Sequence, residues 1–144
     1  MTIGFTTPPE NFKSTMIIVG IFCIYNDKLL YLLKQDHKHE GGKWTDPSGK
    51  VNLGEEPKQA MLRELFEETG IQLDDIEFVK TYYERYPDMD FVYHKYRCVL
   101  QQEPTIILSP GEHKAYKRIT PQEALEDNLI LGEDEIIRDI YNIK

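Results

Sequence analysis

Between Gly49 and Ile71 the chain places three glutamates, Glu64, Glu67 and Glu68, along one side of a predicted helix, and this limits the fold more than any other feature. At about 100° of rotation per residue they fall within an arc of roughly 100°, while Met61, Leu62, Leu65 and Phe66 take the adjoining side. One side packs and the other holds negative charge. Like charges three and four residues apart on a helix repel. The arrangement therefore asks for a hard dication, which carboxylate oxygens suit, to neutralise them.

The boundaries of this helix are written in its flanks. Glu55 and Glu56 precede Pro57 at the first helical position, and Thr69-Gly70 supplies the stop. Upstream, residues 1–13 contain Pro8 and Pro9 without periodicity and read as a loose or edge-docked lead-in. Met16–Tyr25 and Lys28–Leu33 flank Asn26-Asp27 and predict a β-hairpin, and the polar run Gln35–Lys43 predicts a surface loop leading into Trp44-Thr45-Asp46-Pro47. Downstream, Ile76–Arg85 and Phe91–Gln101 flank Tyr86-Pro87-Asp88 as a second hairpin. Thr105–Leu108 reads either as a short strand or as a connection. Lys114–Ile119 predicts the last strand, Thr120-Pro121 opens a helix to about Leu125, and Glu133–Ile140 is an amphipathic C-terminal helix. The class is α+β, helices on a mixed sheet.

At 144 residues the chain suits one domain with one core, spanning 1–144. A net charge of −8 argues against binding a nucleic-acid polymer, because a phosphate backbone is met by a basic patch. An acidic protein can still take a polyphosphate when metal ions bridge the two. Cys23 and Cys98 lie in strand-like runs, not in a paired metal motif, and read as buried thiols of a reducing compartment, with a disulfide between them as the alternative. The apolar run Met16–Tyr25 is too short to span a bilayer, which points to a cytoplasmic protein without a membrane partner.

The spacing Gly, five residues, Glu, seven residues, Arg-Glu-aliphatic-any-Glu-Glu-any-Gly-aliphatic resembles the signature of the Nudix hydrolases, filled here by Gly49, Glu55, Arg63, Glu64, Leu65, Glu67, Glu68, Gly70 and Ile71. The resemblance implies an α/β/α sandwich whose box forms a loop-helix-loop over a mixed sheet. It also implies a MutT-like hydrolase, dependent on Mg²⁺ or Mn²⁺, that cleaves the pyrophosphate linkage of a nucleoside diphosphate joined to another group, most simply a nucleoside triphosphate. Glu67 and Glu68 become the main metal ligands, and Glu64 a further ligand or the base that activates water. Ser48, where relatives often have glycine, becomes a backbone-carbonyl ligand, although a positive φ there would strain it. Arg63 becomes the orienter of the carboxylates, pairing with Glu67 or Glu55. A further glutamate from a later loop is expected, with Glu112 chosen and Glu103 as alternative. Gly49, Glu55 and Gly70 are structural positions of the box.

Other residues stay outside the site at this level. His37 and His39 lack further ligands and read as a solvated loop, and His94 and His113 carry no assignment. Trp44, Tyr82, Tyr83, Phe91, Tyr93 and Tyr116 read as strand packing, with Tyr82 and Tyr83 on opposite faces. Pro87, sixteen residues beyond Ile71, matches a proline of ADP-ribose-cleaving relatives but also suits a turn. A homodimer is left open. A second functional class, a catalytically idle Nudix fold that senses a ligand or binds a protein, is disfavoured because the box carboxylates are retained.

Overall fold

The computed structural model describes residues 1–144. Its elements are β1 (Gly4–Phe5), β2 (Ser14–Tyr25), β3 (Lys28–Lys34), β4 (Trp44–Thr45), β5 (Ser48–Lys50), α1 (Pro57–Thr69), β6 (Glu77–Arg85), β7 (Asp90–Val99), β8 (His113–Ile119), α2 (Pro121–Ala124) and α3 (Glu133–Tyr141). The strands form one mixed sheet in the order β1-β6-β7-β2-β3-β4, with β5 beside β2 and β8 beside β3.

The side-chain alternation of β2 and β3 explains the layers. Val19, Ile21, Cys23, Leu30 and Leu32 pack beneath Ala60, Met61 and Leu65 of α1. Their neighbours Phe22, Leu29 and Tyr31 turn to the opposite face and pack with Ala124 of α2 and Ile136 and Ile137 of α3. A strand buried on both faces needs a continuous apolar sequence, and β2 supplies one. The expected α+β sandwich is therefore present.

The predicted first hairpin is present but short. Asn26 and Asp27 do make the turn, with φ of 53° and 61°, but β2 and β3 pair only at Ile24↔Leu29 and Tyr25↔Lys28. Beyond that the strands part. β2 runs parallel to β7 from Ile17↔Val92 to Ile24↔Val99 and takes β5 at Ile18–Gly20, while β3 pairs with β8. The physical reason is that β2 and β3 must accept further strands to cover their backbone polar groups, and periodicity does not say which. The second hairpin forms as expected between β6 and β7. Thr105–Leu108 is a connection, held where the Ile107 N–H donates to the Thr69 carbonyl at 2.8 Å. The lead-in is edge-docked: β1 pairs with β6, and the Ile3 and Gly4 N–H groups donate to the Glu135 carboxylate at 2.8–3.1 Å. The sequence also missed the short strands β4 and β5, whose two or three residues carry no period.

Helix α1 begins and ends as predicted. Pro57 is its first residue, the Glu56 N–H donates to the Gln59 side chain at 3.2 Å, and Gly70 at φ 76° donates its N–H to the Phe66 carbonyl. Cys23 and Cys98 face each other across β2 and β7 as free thiols, Sγ to Sγ 3.5 Å. No helix is long and apolar enough to cross a membrane.

Candidate active site

Two consecutive turns of α1 lean over β5, and this contact builds the acidic end of the site. Glu68 is only 8% exposed, so it does not lie on a solvated helix face, and its Oε1 accepts the Ser48 N–H at 3.0 Å. Burial pushes its carboxyl well above the usual glutamate range, and the nearby charges of Glu64, Asp46 and Glu112 push the same way. Glu64 is half-buried and also raised, chiefly by burial, against the lowering pull of Arg63. Its carboxyl lies so close to the backbone that a Cβ on Gly49 would overlap it, which accounts for glycine at that position. Ser48 is not among the residues of positive φ, so its backbone carries none of the strain raised by the missing glycine.

Arg63 ties the acidic groups together. Its guanidinium donates through Nε and Nη2 to both oxygens of Glu55, through Nη1 to Glu64 at 2.8 Å and Glu67 at 3.2 Å, and through Nη2 to the Lys50 carbonyl at 3.1 Å. Sequence reasoning offered Glu67 or Glu55 as its partner. The fold uses both and adds Glu64. Arg63 in turn holds the Glu55 carboxyl down at about 2.

Glu64, Glu67 and Glu68 share an open polar cleft of about 570 Å³ with Ser48, Gly49 and Glu112. Glu112 arrives from the loop before β8, and its carboxylate accepts from Lys38 Nζ at 2.9 Å, which lowers its pKa. Glu103 is elsewhere, paired with Arg118 at 2.9 Å, and does not line the cleft. The donor set is all oxygen, mutually repelling and partly desolvated, and this suits a hard cation such as Mg²⁺ or Mn²⁺. As they stand, the acidic side chains do not gather into a three-ligand cluster. Arg63 spans Glu64 and Glu67 instead.

The cleft continues into a chamber of about 350 Å³, sharing Ser48, Gly49, Glu68 and Glu112 with it. Its walls include Met16 and Ile18 of β2, Phe91 of β7, and Tyr86, Met89 and Ile130 from loops. Tyr86 and Phe91 meet edge to face, ring centroids 5.0 Å apart. Lys34 and His113 add polar groups, and His39, expected only as part of a solvated loop, also reaches the wall. Burial pushes the His113 imidazole down to about 4. Phe91 packs in the core as expected, with Tyr86 against it, and both also line the chamber. The alternation that sends Phe22 toward α3 sends Ile18 and Met16 the same way, and this was the available signal.

Beneath the chamber lies a charge cluster that sequence reasoning missed entirely. Lys95 is fully buried, forms an ion pair with Asp46, and stands 3.7 Å from Glu133 and 3.6 Å from the centre of the Phe22 ring. The Tyr93 hydroxyl donates to Asp46 at 3.0 Å. A lysine amid strand residues hinted at a buried partner, but nothing local identified Asp46 or Glu133.

The NUDIX domain profile matches residues 15–140. The chain is 34% identical over 76 residues to the 8-oxo-dGTP diphosphatase of Proteus vulgaris, covering 53% of this chain and 68% of the relative. It is 38% identical over 77 residues to the enzyme of the same name from Escherichia coli strain K12, covering 53% of this chain and 59% of that relative. In fold it is similar to the MutT protein of Methanosarcina mazei Go1, with a TM-score of 0.78 at 23% identity over 92% of this chain and 98% of that one.

Proposed function

Given that the chain belongs to the NUDIX family, we propose that it is a divalent-metal-dependent pyrophosphohydrolase of nucleotides, acting on the phosphoanhydride linkage of a nucleoside triphosphate or a related nucleoside diphosphate derivative. One observation carries the reading: an apolar chamber with the dimensions of a small-ligand site opens directly into a cleft of carboxylates through the shared wall of Ser48, Gly49, Glu68 and Glu112. A nucleoside fits the first and a polyphosphate the second.

Glu67 and Glu68, with the Ser48 carbonyl, are the groups that would hold Mg²⁺ or Mn²⁺. When bound, the cation supplies charge neutralisation for the polyphosphate and polarises the phosphorus under attack. Glu64, set against the Gly49 backbone, takes the proton of the attacking water. Arg63 fixes the carboxylate directions through Glu55. Glu112 adds a carboxylate from the opposite wall, where Lys38 restrains it. The Tyr86–Phe91 pair holds the base and keeps water from that end. A cytoplasmic location accords with two free thiols.

The test is phosphate and pyrophosphate release from a panel of nucleoside triphosphates and dinucleoside polyphosphates, with and without Mg²⁺. Glu67→Gln and Glu68→Gln are each expected to lose on the order of 10²-fold or more, as when an electrostatic stabiliser at the reacting group is removed. Unchanged turnover in the double variant would remove the proposed site. No turnover by the unaltered chain across the panel would instead favour a ligand-sensing module.

A further inference from the structure

Cys23 of β2 and Cys98 of β7 are paired in register across the parallel seam of the sheet, and both pack into the layer beneath α1. Neighbouring strands lie about 4.8 Å apart, which falls inside the Cα separation that a disulfide spans. The two Sγ atoms are already 3.5 Å apart. Closing a bond of about 2 Å between them calls for a shift of side chains, not a rearrangement of the sheet. Neither thiol lines the cleft or the chamber, so the hydrolase reading gives the pair no task.

The two sulfurs differ in access. Cys23 is 2% exposed and belongs to the core. Cys98 is only part-buried and lines an open groove of about 480 Å³ with Leu73, Ile76, Arg97 and Leu100. They differ also in acidity. Contact with Cys23 lowers the Cys98 thiol, helped by the Ile24 N–H, whereas the same contact and burial push Cys23 up. A thiol that is reachable and readily deprotonated is the one an oxidant meets first, and a second thiol beside it resolves the product.

We propose that Cys98 is a site of reversible oxidation by small hydroperoxides and that Cys23 is its resolving thiol. The Cys98 thiolate attacks one oxygen of hydrogen peroxide, the O–O bond breaks, and the released hydroxide takes up the thiol proton as water. The Cys23 sulfur then attacks the sulfenic sulfur of Cys98. The S–O bond breaks as the S–S bond forms, and the hydroxide leaves with the Cys23 proton as a second water. Two thiols are oxidised to one disulfide, and one peroxide is reduced to two waters. The product ties β2 to β7 across 75 positions of chain. A cross-link over so long a loop restricts the unfolded chain more than the folded one.

The test treats the reduced, unaltered chain with hydrogen peroxide and follows it by thiol titration and intact mass. Both thiols are expected to disappear together, the monomer to lose two hydrogen atoms, and dithiothreitol to reverse the change. The oxidised form is expected to melt about 5 °C or more higher. Cys23→Ala should stop at a Cys98 sulfenic acid that dimedone traps. In Cys98→Ala, Cys23 should react roughly 10-fold or more slowly than Cys98 does in Cys23→Ala. Oxygen gained at Cys98 while Cys23 stays a thiol, a dimer linked through Cys98, or no loss of thiol at millimolar peroxide would each overturn the proposal. The mass of the unaltered chain decides this whether or not the variants fold. Equal rates in the two variants would overturn the order of attack, and an oxidised form that melts no higher would overturn the tie between strands. None of these readouts depends on nucleotide turnover, so the hydrolase reading stands or falls separately.

Discussion

The guanidinium of Arg63 grips the carboxylate of Glu55 as a two-pronged fork, Nε to Oε2 at 2.8 Å and Nη2 to Oε1 at 2.9 Å. The fork fixes the plane of Arg63, and the remaining Nη1 then meets Glu64 and Glu67 together. A residue in the loop before α1 thus sets the direction of two carboxylates on the helix.

Glu55→Gln breaks the fork without touching the cleft. Turnover is expected to fall roughly 10- to 100-fold, the usual effect of losing a partner that orients a ligand, with a modest fall in melting temperature because the pair is only part-buried. Arg63→Lys should not restore activity, since an ammonium cannot reproduce the planar fork. The Glu55 carboxyl is depressed from 4.5 to about 2. What the fork contributes is therefore present above the ordinary glutamate value and is lost as pH falls through about 2. Kinetics and a pH series of thermal melts check both statements.

Gly49→Ala places a methyl group where the Glu64 carboxyl lies. The side chain must swing away, and turnover is expected to drop on the order of 10²-fold, because a small misplacement of a reacting group is costly. Binding of a nucleoside monophosphate in the chamber should survive. Equal turnover in Gly49→Ala and the unaltered chain would show that the position of Glu64 is immaterial.

Burial pushes the Glu84 carboxyl up to about 8, against 4.5 for an ordinary glutamate. Between those two values the unfolded chain has released a proton that the folded chain still holds. Stability therefore falls as pH rises from about 4.5 to 8 and levels off beyond. Glu133, raised in the same direction by burial and by Asp46, adds to the slope. The melting temperature is expected to be several degrees lower at pH 8 than at pH 5, and Glu84→Gln should flatten a substantial part of that difference.

Glu68 holds its proton more tightly than an ordinary glutamate because it is buried beside other carboxylates. A cation bound there must displace that proton, so Mg²⁺ or Mn²⁺ affinity should rise with pH and its uptake should release protons. Calorimetry in buffers of different ionisation enthalpy measures the number released. Chelation with EDTA is expected to abolish turnover, and readdition of Mg²⁺ or Mn²⁺ to restore it.

The residues differ in how legible they were from the chain alone. Pro57, Gly70 and the acidic side of α1 were readable because helix caps and the 3.6-residue turn act within a few positions. Glu112 over Glu103 was a choice between two loop glutamates. The structure brings Glu112 to the cleft, with Lys38 beside it and β8 paired with β3, and leaves Glu103 beside Arg118. The first hairpin was legible as a reversal at Asn26-Asp27, but a turn dipeptide does not say how far the strands stay together. Asp46, Lys95, Glu84 and Glu133 were invisible as a group, since they come from separate segments of the chain.

The sequence by itself determined the helix that carries Glu64, Glu67 and Glu68, its two ends, and the family signature around it, because each depends on short-range geometry. Only the tertiary structure decided that Glu55 reaches Arg63 together with Glu64, that β2 lies parallel to β7, and that a chamber opens beside the carboxylates. Local periodicity tells each strand which face to bury. Which strands become neighbours is chosen by packing across the whole sheet, and the site is made where those neighbours meet.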